Sequence, residues 1–256
     1  MASLEKIIKN GKALFLAYDQ GLEHGPTDFN DENIDPTNIL KIGISGEYTG
    51  VIFQKGIAEK YYTSSLYFDE IKRKLPLIIK LNGKTNLVTD DDPYSPILCT
   101  VDEAVKLGAL AVGYTVYVGS EYENKMTGEL GIIVREAHEL GIPVIGWMYP
   151  RGRNLKDPHD PEIIAYAARI GLEIGADMVK VWYPGSLESV QQVVKAAGAT
   201  KVVISGGKKE SEEDFLATAK TVMQAGAAGM AVGRNIWQHE NPLELTQKLK
   251  EIILKG

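Results

Sequence analysis

Cysteine is nearly absent from this chain. Cys99 is the only one in 256 residues, so no disulfide can form within it, and a reducing, cytoplasmic setting is expected. Histidine is scarce as well: His24, His138, His159 and His239 never pair at the ends of apolar runs, and no Cys/His spacing matches a metal site. The first residues, MASLEKIIKNGK, carry charges and lack the apolar core of a secretory signal. No run approaches the roughly 20 apolar residues of a membrane span, because Gly, Lys or Asp interrupts even the richest. Positive charge is not in excess either. The net charge is −6, so the broad positive field of a nucleic-acid binder is missing. A soluble protein with neither a membrane nor a nucleic-acid partner is expected, and any anionic ligand must be held by a local site.

What is present is an even alternation. Short β-branched runs recur at 13–19, 50–55, 76–83, 111–117, 143–149, 178–183, 201–207 and 229–234, and each ends in a Gly, Asp, Tyr or Lys cluster. Between them lie amphipathic segments such as 101–108, 129–141, 160–176, 186–198 and 211–226, with apolar residues at helical spacing. Gly108, Gly141, Gly175, Gly198 and Gly226 stand where helices should end and turn back into strands. Eight strand–helix units in a chain of this length predict an α/β protein with a single closed (β/α)8 barrel, the TIM-barrel architecture, spanning 1–256. An open doubly wound sheet shares the alternation but commonly carries a glycine-rich dinucleotide turn after its first strand, where this chain reads YDQGLEHGP. The polar stretch from Thr85 to Pro96 reads as a surface or lid loop.

In such a barrel the chemistry sits where strands end. Lys180 shares one face of the sixth run with Met178 and Trp182, because strand side chains alternate with period two. An ammonium there must be paired or lose its proton, and a free amine attacks carbonyls. The structural alternative is an ion pair with a barrel carboxylate such as Asp19. Lys80, on the third run, is a rival by the same logic. Lys180 is favoured because the adjacent fifth run supplies Trp147 and Tyr149 on one face, and a phenol beside an amine can carry protons. Both aromatics could equally fill a barrel layer. Asp19, with Glu23 and His24 in the loop behind it, is placed for acid–base work or for a turn. SGGKK and GRN after the last two runs carry Ser205, Gly206, Gly207, Gly233 and Arg234, the ingredients of a barrel phosphate site or of two tight turns.

AYDQGLEHGP, EYTGVIFQKG, KLNGKT, GWMYPRG, MVKVWYPG, ISGGKK and AVGRNIWQ together resemble the archaeal-type class I fructose-1,6-bisphosphate aldolases over nearly all of the chain. The resemblance implies that Lys180 forms a Schiff base, Tyr149 moves protons, Trp147 lines the site and Asp19 handles a sugar hydroxyl. It further implies that ISGGKK and AVGRN bind the ketose phosphate near C1, and it offers His24 and Arg151 for the distal phosphate. No cofactor or metal is implied, although related barrel enzymes include synthases and a thiolase that share the lysine. Relatives of this kind assemble as homo-oligomers, often decamers built from pentamers.

Overall fold

Eight parallel strands close into a barrel in the order β1 to β8, with β8 returning to β1. This architecture is that of the computed structural model, which describes residues 2–25, 28–64, 68–88 and 91–255. The strands are β1 Ala13–Tyr18, β2 Gly50–Gln54, β3 Leu77–Lys80, β4 Ala111–Val118, β5 Val144–Pro150, β6 Met178–Val181, β7 Lys201–Ser205 and β8 Gly229–Val232.

Nearly every strand residue is buried, because one face meets the barrel interior and the other the surrounding helices. Along β1, Ala13, Phe15 and Ala17 join an inner cluster with Ile52, Ile78, Ala111, Ile145, Trp147, Met178 and Val203. Leu14, Leu16 and Tyr18 point outward into the shell between sheet and helices. This period-two alternation aims the next inner positions, Asp19 after β1, Lys80 on β3, Tyr149 on β5 and Lys180 on β6, at the interior above that layer.

The helices that cover the outside are built with explicit ends. Helix Pro161–Ile174 starts at Asp160, whose side chain accepts from Glu162 N, and stops at Gly175 with φ +99°. The other four glycines expected at helix ends, Gly108, Gly141, Gly198 and Gly226, also have positive φ.

Two sequence expectations need correction. Strands β3, β6, β7 and β8 end two or three residues earlier than predicted, and after the last three of them Trp182, Tyr183, Gly206, Gly207, Gly233 and Arg234 leave the sheet to line a cavity. The stretch 85–96 is not a free lid. Thr89 and Asp90 lie outside the described residues, but Asp92 is fully buried, pairs with Arg153 Nε and accepts from the backbone N–H groups of Glu121 (3.1 Å) and Arg153 (3.2 Å). Asn82 Nδ2 donates to Ser95 O at 3.0 Å, and Ser120 donates to Pro93 O at 2.8 Å. A buried carboxylate held this way ties the loop to the neighbouring loops, and none of its described residues lines the cavity. Among the described residues, no helix is long and apolar enough to cross a membrane.

Candidate active site

A cavity of about 530 Å³ opens at the C-terminal ends of the strands. Its walls bring together Asp19, His24, Trp147, Tyr149, Lys180, Ser205, Gly206, Gly207, Gly233 and Arg234. All residues that the resemblance assigns to the site, Arg151 excepted, therefore meet in one place. Arg151 is the exception. It follows β5 directly, and its guanidinium lies over the Tyr117 ring of β4, 5.6 Å from the centroid, outside the cavity lining.

The two candidate lysines are held differently. Lys80 is 1% exposed, its ammonium pairs with the Glu23 carboxylate, and Asp19 Oδ2 stands 3.6 Å away. Lys180 is buried, yet no carboxylate of the described residues comes within 4.0 Å of it. Its Nζ lies 5.1 Å from the centroid of the Trp147 ring. Burial pushes the Lys180 amine below its ordinary pKa, against the pull of the Asp19 charge. The Asp19 ion pair that could have made Lys180 structural is thus formed by Lys80 instead.

Asp19 is buried too, which favours its neutral form. The Lys180 and Lys80 charges outweigh that effect and hold the carboxyl below its usual range. Tyr149 goes the other way: burial and the Asp19 charge raise its phenol well above the ordinary value, against a hydrogen bond with Ser205. It therefore stays protonated through neutral pH. Its ring stacks on Trp182 at 5.2 Å, and His159 stacks on the same indole at 4.8 Å. Trp147 Nε1 is buried without a hydrogen-bond partner. An orphaned donor of this kind costs about 1–3 kcal/mol, which an oxygen bound in the cavity would recover.

At the far wall, Gly207 adopts φ +69° and its carbonyl accepts from Arg234 Nη2 at 3.0 Å. Gly206 contributes space more than a donor, since its N–H is committed to Ala231 O at 2.8 Å. Asn235 fastens this turn, donating to Gly206 O (2.7 Å) and Lys208 O (2.9 Å) and accepting from Glu210 N (2.8 Å). Asp28 accepts from or pairs with both His24 (3.0 Å) and Arg234 (3.7 Å). Burial and the neighbouring Arg234 keep the His24 pKa low, opposed by Asp28. The wall therefore carries glycine turns with the Arg234 guanidinium beside them, which suits a phosphate ester.

Comparison with known proteins agrees with this geometry. Residues 13–239 match the DeoC/LacD family aldolases. The chain belongs to that aldolase family. A fructose-bisphosphate aldolase class 1 of Thermoproteus tenax is 47% identical over 97% of this chain and 92% of its own length. A fructose-bisphosphate aldolase class 1 of Halobacterium salinarum is 45% identical over 96% of this chain and 92% of its own length. An archaeal fructose-1,6-bisphosphate aldolase, solved with its catalytic lysine covalently bound to the carbinolamine intermediate of the substrate, superposes with a TM-score of 0.90. It is 46% identical, over 98% of this chain and 97% of the other.

Reading the family's chemistry into the sequence missed several members of the site. His159, Trp182, Tyr183, Lys208, Glu210 and Thr218 also line the cavity. Trp182 and Tyr183 were within reach, since they directly follow the Lys180 strand. His159 lies nine residues beyond the end of β5, and no local pattern marks it.

Proposed function

We propose that this chain is a class I fructose-1,6-bisphosphate aldolase, reversibly cleaving fructose 1,6-bisphosphate to dihydroxyacetone phosphate and glyceraldehyde 3-phosphate through a Schiff base on Lys180. The observation that carries the assignment of the nucleophile is the buried, unpaired Lys180 amine facing the cavity beside Trp147 and Tyr149. A lysine in that setting loses its proton more readily than one in water and attacks a carbonyl carbon.

Lys180 adds to C2 of the ketose, and loss of water gives an iminium. Asp19 takes the C4 hydroxyl proton, the C4–O bond becomes a carbonyl, and the C3–C4 pair moves into the iminium to give an enamine. Glyceraldehyde 3-phosphate leaves. Tyr149, kept protonated by its burial, returns a proton to C3, and water then hydrolyses the iminium. The Trp147 N–H supplies a donor for a substrate oxygen. Gly207, Gly233 and Arg234 hold the phosphate at C1 with room provided by Gly206, and His24 faces the distal phosphate. Arg151 reaches that phosphate only by swinging off Tyr117.

Residues 1–256 act in this reading as one barrel unit, and homo-oligomeric assembly follows from the family resemblance. A cytoplasmic setting suits the single cysteine, whose buried thiol is pushed up to about 11. The substrate assignment is tested by assaying purified protein with fructose 1,6-bisphosphate and with other ketose phosphates. Preferential release of dihydroxyacetone phosphate from the bisphosphate is expected; turnover of another ketose phosphate alone would reassign the substrate.

A further inference from the structure

The mechanism above leaves one buried cation without a task. Lys80 ends β3 with its side chain inside the barrel, and its ammonium lies between two carboxylates from the loop after β1, Glu23 in direct contact and Asp19 Oδ2 at 3.6 Å. Tyr117 Oη, from β4, reaches the second oxygen of Glu23 at 3.4 Å.

We propose that Lys80 is a positioning residue: its ammonium, anchored by Glu23, holds the Asp19 side chain as a carboxylate directed at the cavity. The proposal deepens the aldolase reading and rests on Asp19 being the proton acceptor.

Lys180 faces Asp19 from β6, but its charge changes during turnover. It must be a neutral amine to attack, is cationic as the iminium, and is neutral again as the enamine. A carboxylate that relied on Lys180 alone would lose its partner at the moment of attack. Lys80 is consumed in no step: it stays in contact with Glu23 and 3.6 Å from Asp19 while Lys180 reacts, and the Asp19 charge opposes the burial and the Lys180 charge that draw its pKa down to about 8.

The charge count closes at each step. Before cleavage, the iminium and Lys80 balance Asp19 and Glu23. When Asp19 takes the C4 hydroxyl proton and the C3–C4 electrons enter the iminium, one positive and one negative charge vanish together. The Lys80–Glu23 pair is untouched, so no bare charge is left at this buried pair. The other titratable groups facing Asp19 are His24 from its own loop, Tyr149 from β5 and Tyr117 from β4. Both phenols stay neutral at working pH, raised mainly by burial, and His24 is held low, so none of them replaces Lys80 as a fixed cation.

The test is the acid limb of the kcat–pH profile for fructose 1,6-bisphosphate cleavage, compared between the parent and three variants so that titration of the substrate cancels. Lys80→Met should move the limb upward by about one pH unit, the low end for loss of a cation near a carboxylate. Lys80→Arg, which keeps the charge, should leave it near the parental position. Glu23→Gln leaves the ammonium to Asp19 alone and should move the limb downward; it also carries the test if Lys80→Met fails to fold. Trapping of dihydroxyacetone phosphate on Lys180 by borohydride should persist in all three. A limb that stays in place in folded Lys80→Met, or moves upward in Glu23→Gln, overturns the proposal, as does loss of trapping in a folded Lys80 variant. If the parent itself is not trapped at Lys180, the aldolase mechanism fails first and the role of Lys80 falls with it.

Discussion

The six-membered ring of Trp147 occupies the space that a β-carbon on Gly113 would fill: an ideal Cβ there would lie 1.6 Å from Cζ3 and 1.9 Å from Cη2. Gly113 is in β4, opposite Ile145 of β5, so one missing side chain on the neighbouring strand lets the indole lie flat beside Lys180. Gly113→Ala should displace the Trp147 ring and cost about 1–3 kcal/mol from over-packing, with a loss of activity larger than the loss of stability implies. Thermal melting and kcat, measured together, check this. A variant with parental kcat would mean that the position of the indole is immaterial to turnover.

Gly113 was readable in principle. A glycine inside AVGYTVY is a weak strand former and marks close approach of another group, but the sequence does not say which. The same limit governs the rest of the site. Alternation placed Lys180, Met178, Trp147 and Tyr149 on inward faces, because period two is a local property of the chain. Choosing between Lys80 and Lys180 is not local: both stand on inward faces of their strands, and they differ in that Glu23 and Asp19 reach one of them through space. Arg151, which the resemblance offered for the distal phosphate, lies over the Tyr117 ring and outside the cavity lining, a placement that no local pattern marks. The stretch 85–96 read as a surface or lid loop from its polarity, yet the buried pairing of Asp92 with Arg153, 61 residues away, fastens it.

Arg234 has two neighbours that define what its removal should do, the Gly207 carbonyl at 3.0 Å and Asp28 at 3.7 Å. Arg234→Ala should raise KM for fructose 1,6-bisphosphate by roughly tenfold to a hundredfold while changing that for free fructose far less. Steady-state kinetics with both substrates decides. Equal losses on both would confine Arg234 to bracing the Gly207 turn.

Tyr149→Phe removes the hydroxyl and keeps the ring stacked on Trp182. Stability should change little, while cleavage falls by about 10² to 10⁴. The variant should still be trapped by borohydride with dihydroxyacetone phosphate but lose exchange of the C3 proton with solvent, followed by NMR in deuterated water. Exchange at the parental rate would assign the proton to another group.

The central claim is that the free lysine, Lys180, and not the paired one, Lys80, attacks the substrate. It is tested most directly by reducing the protein with borohydride in the presence of dihydroxyacetone phosphate and locating the modified peptide by mass spectrometry. The account predicts one covalent increment on the peptide containing Lys180, absent in Lys180→Met although that variant keeps its fold. An increment on Lys80, or none on a protein that still cleaves fructose 1,6-bisphosphate, would contradict it.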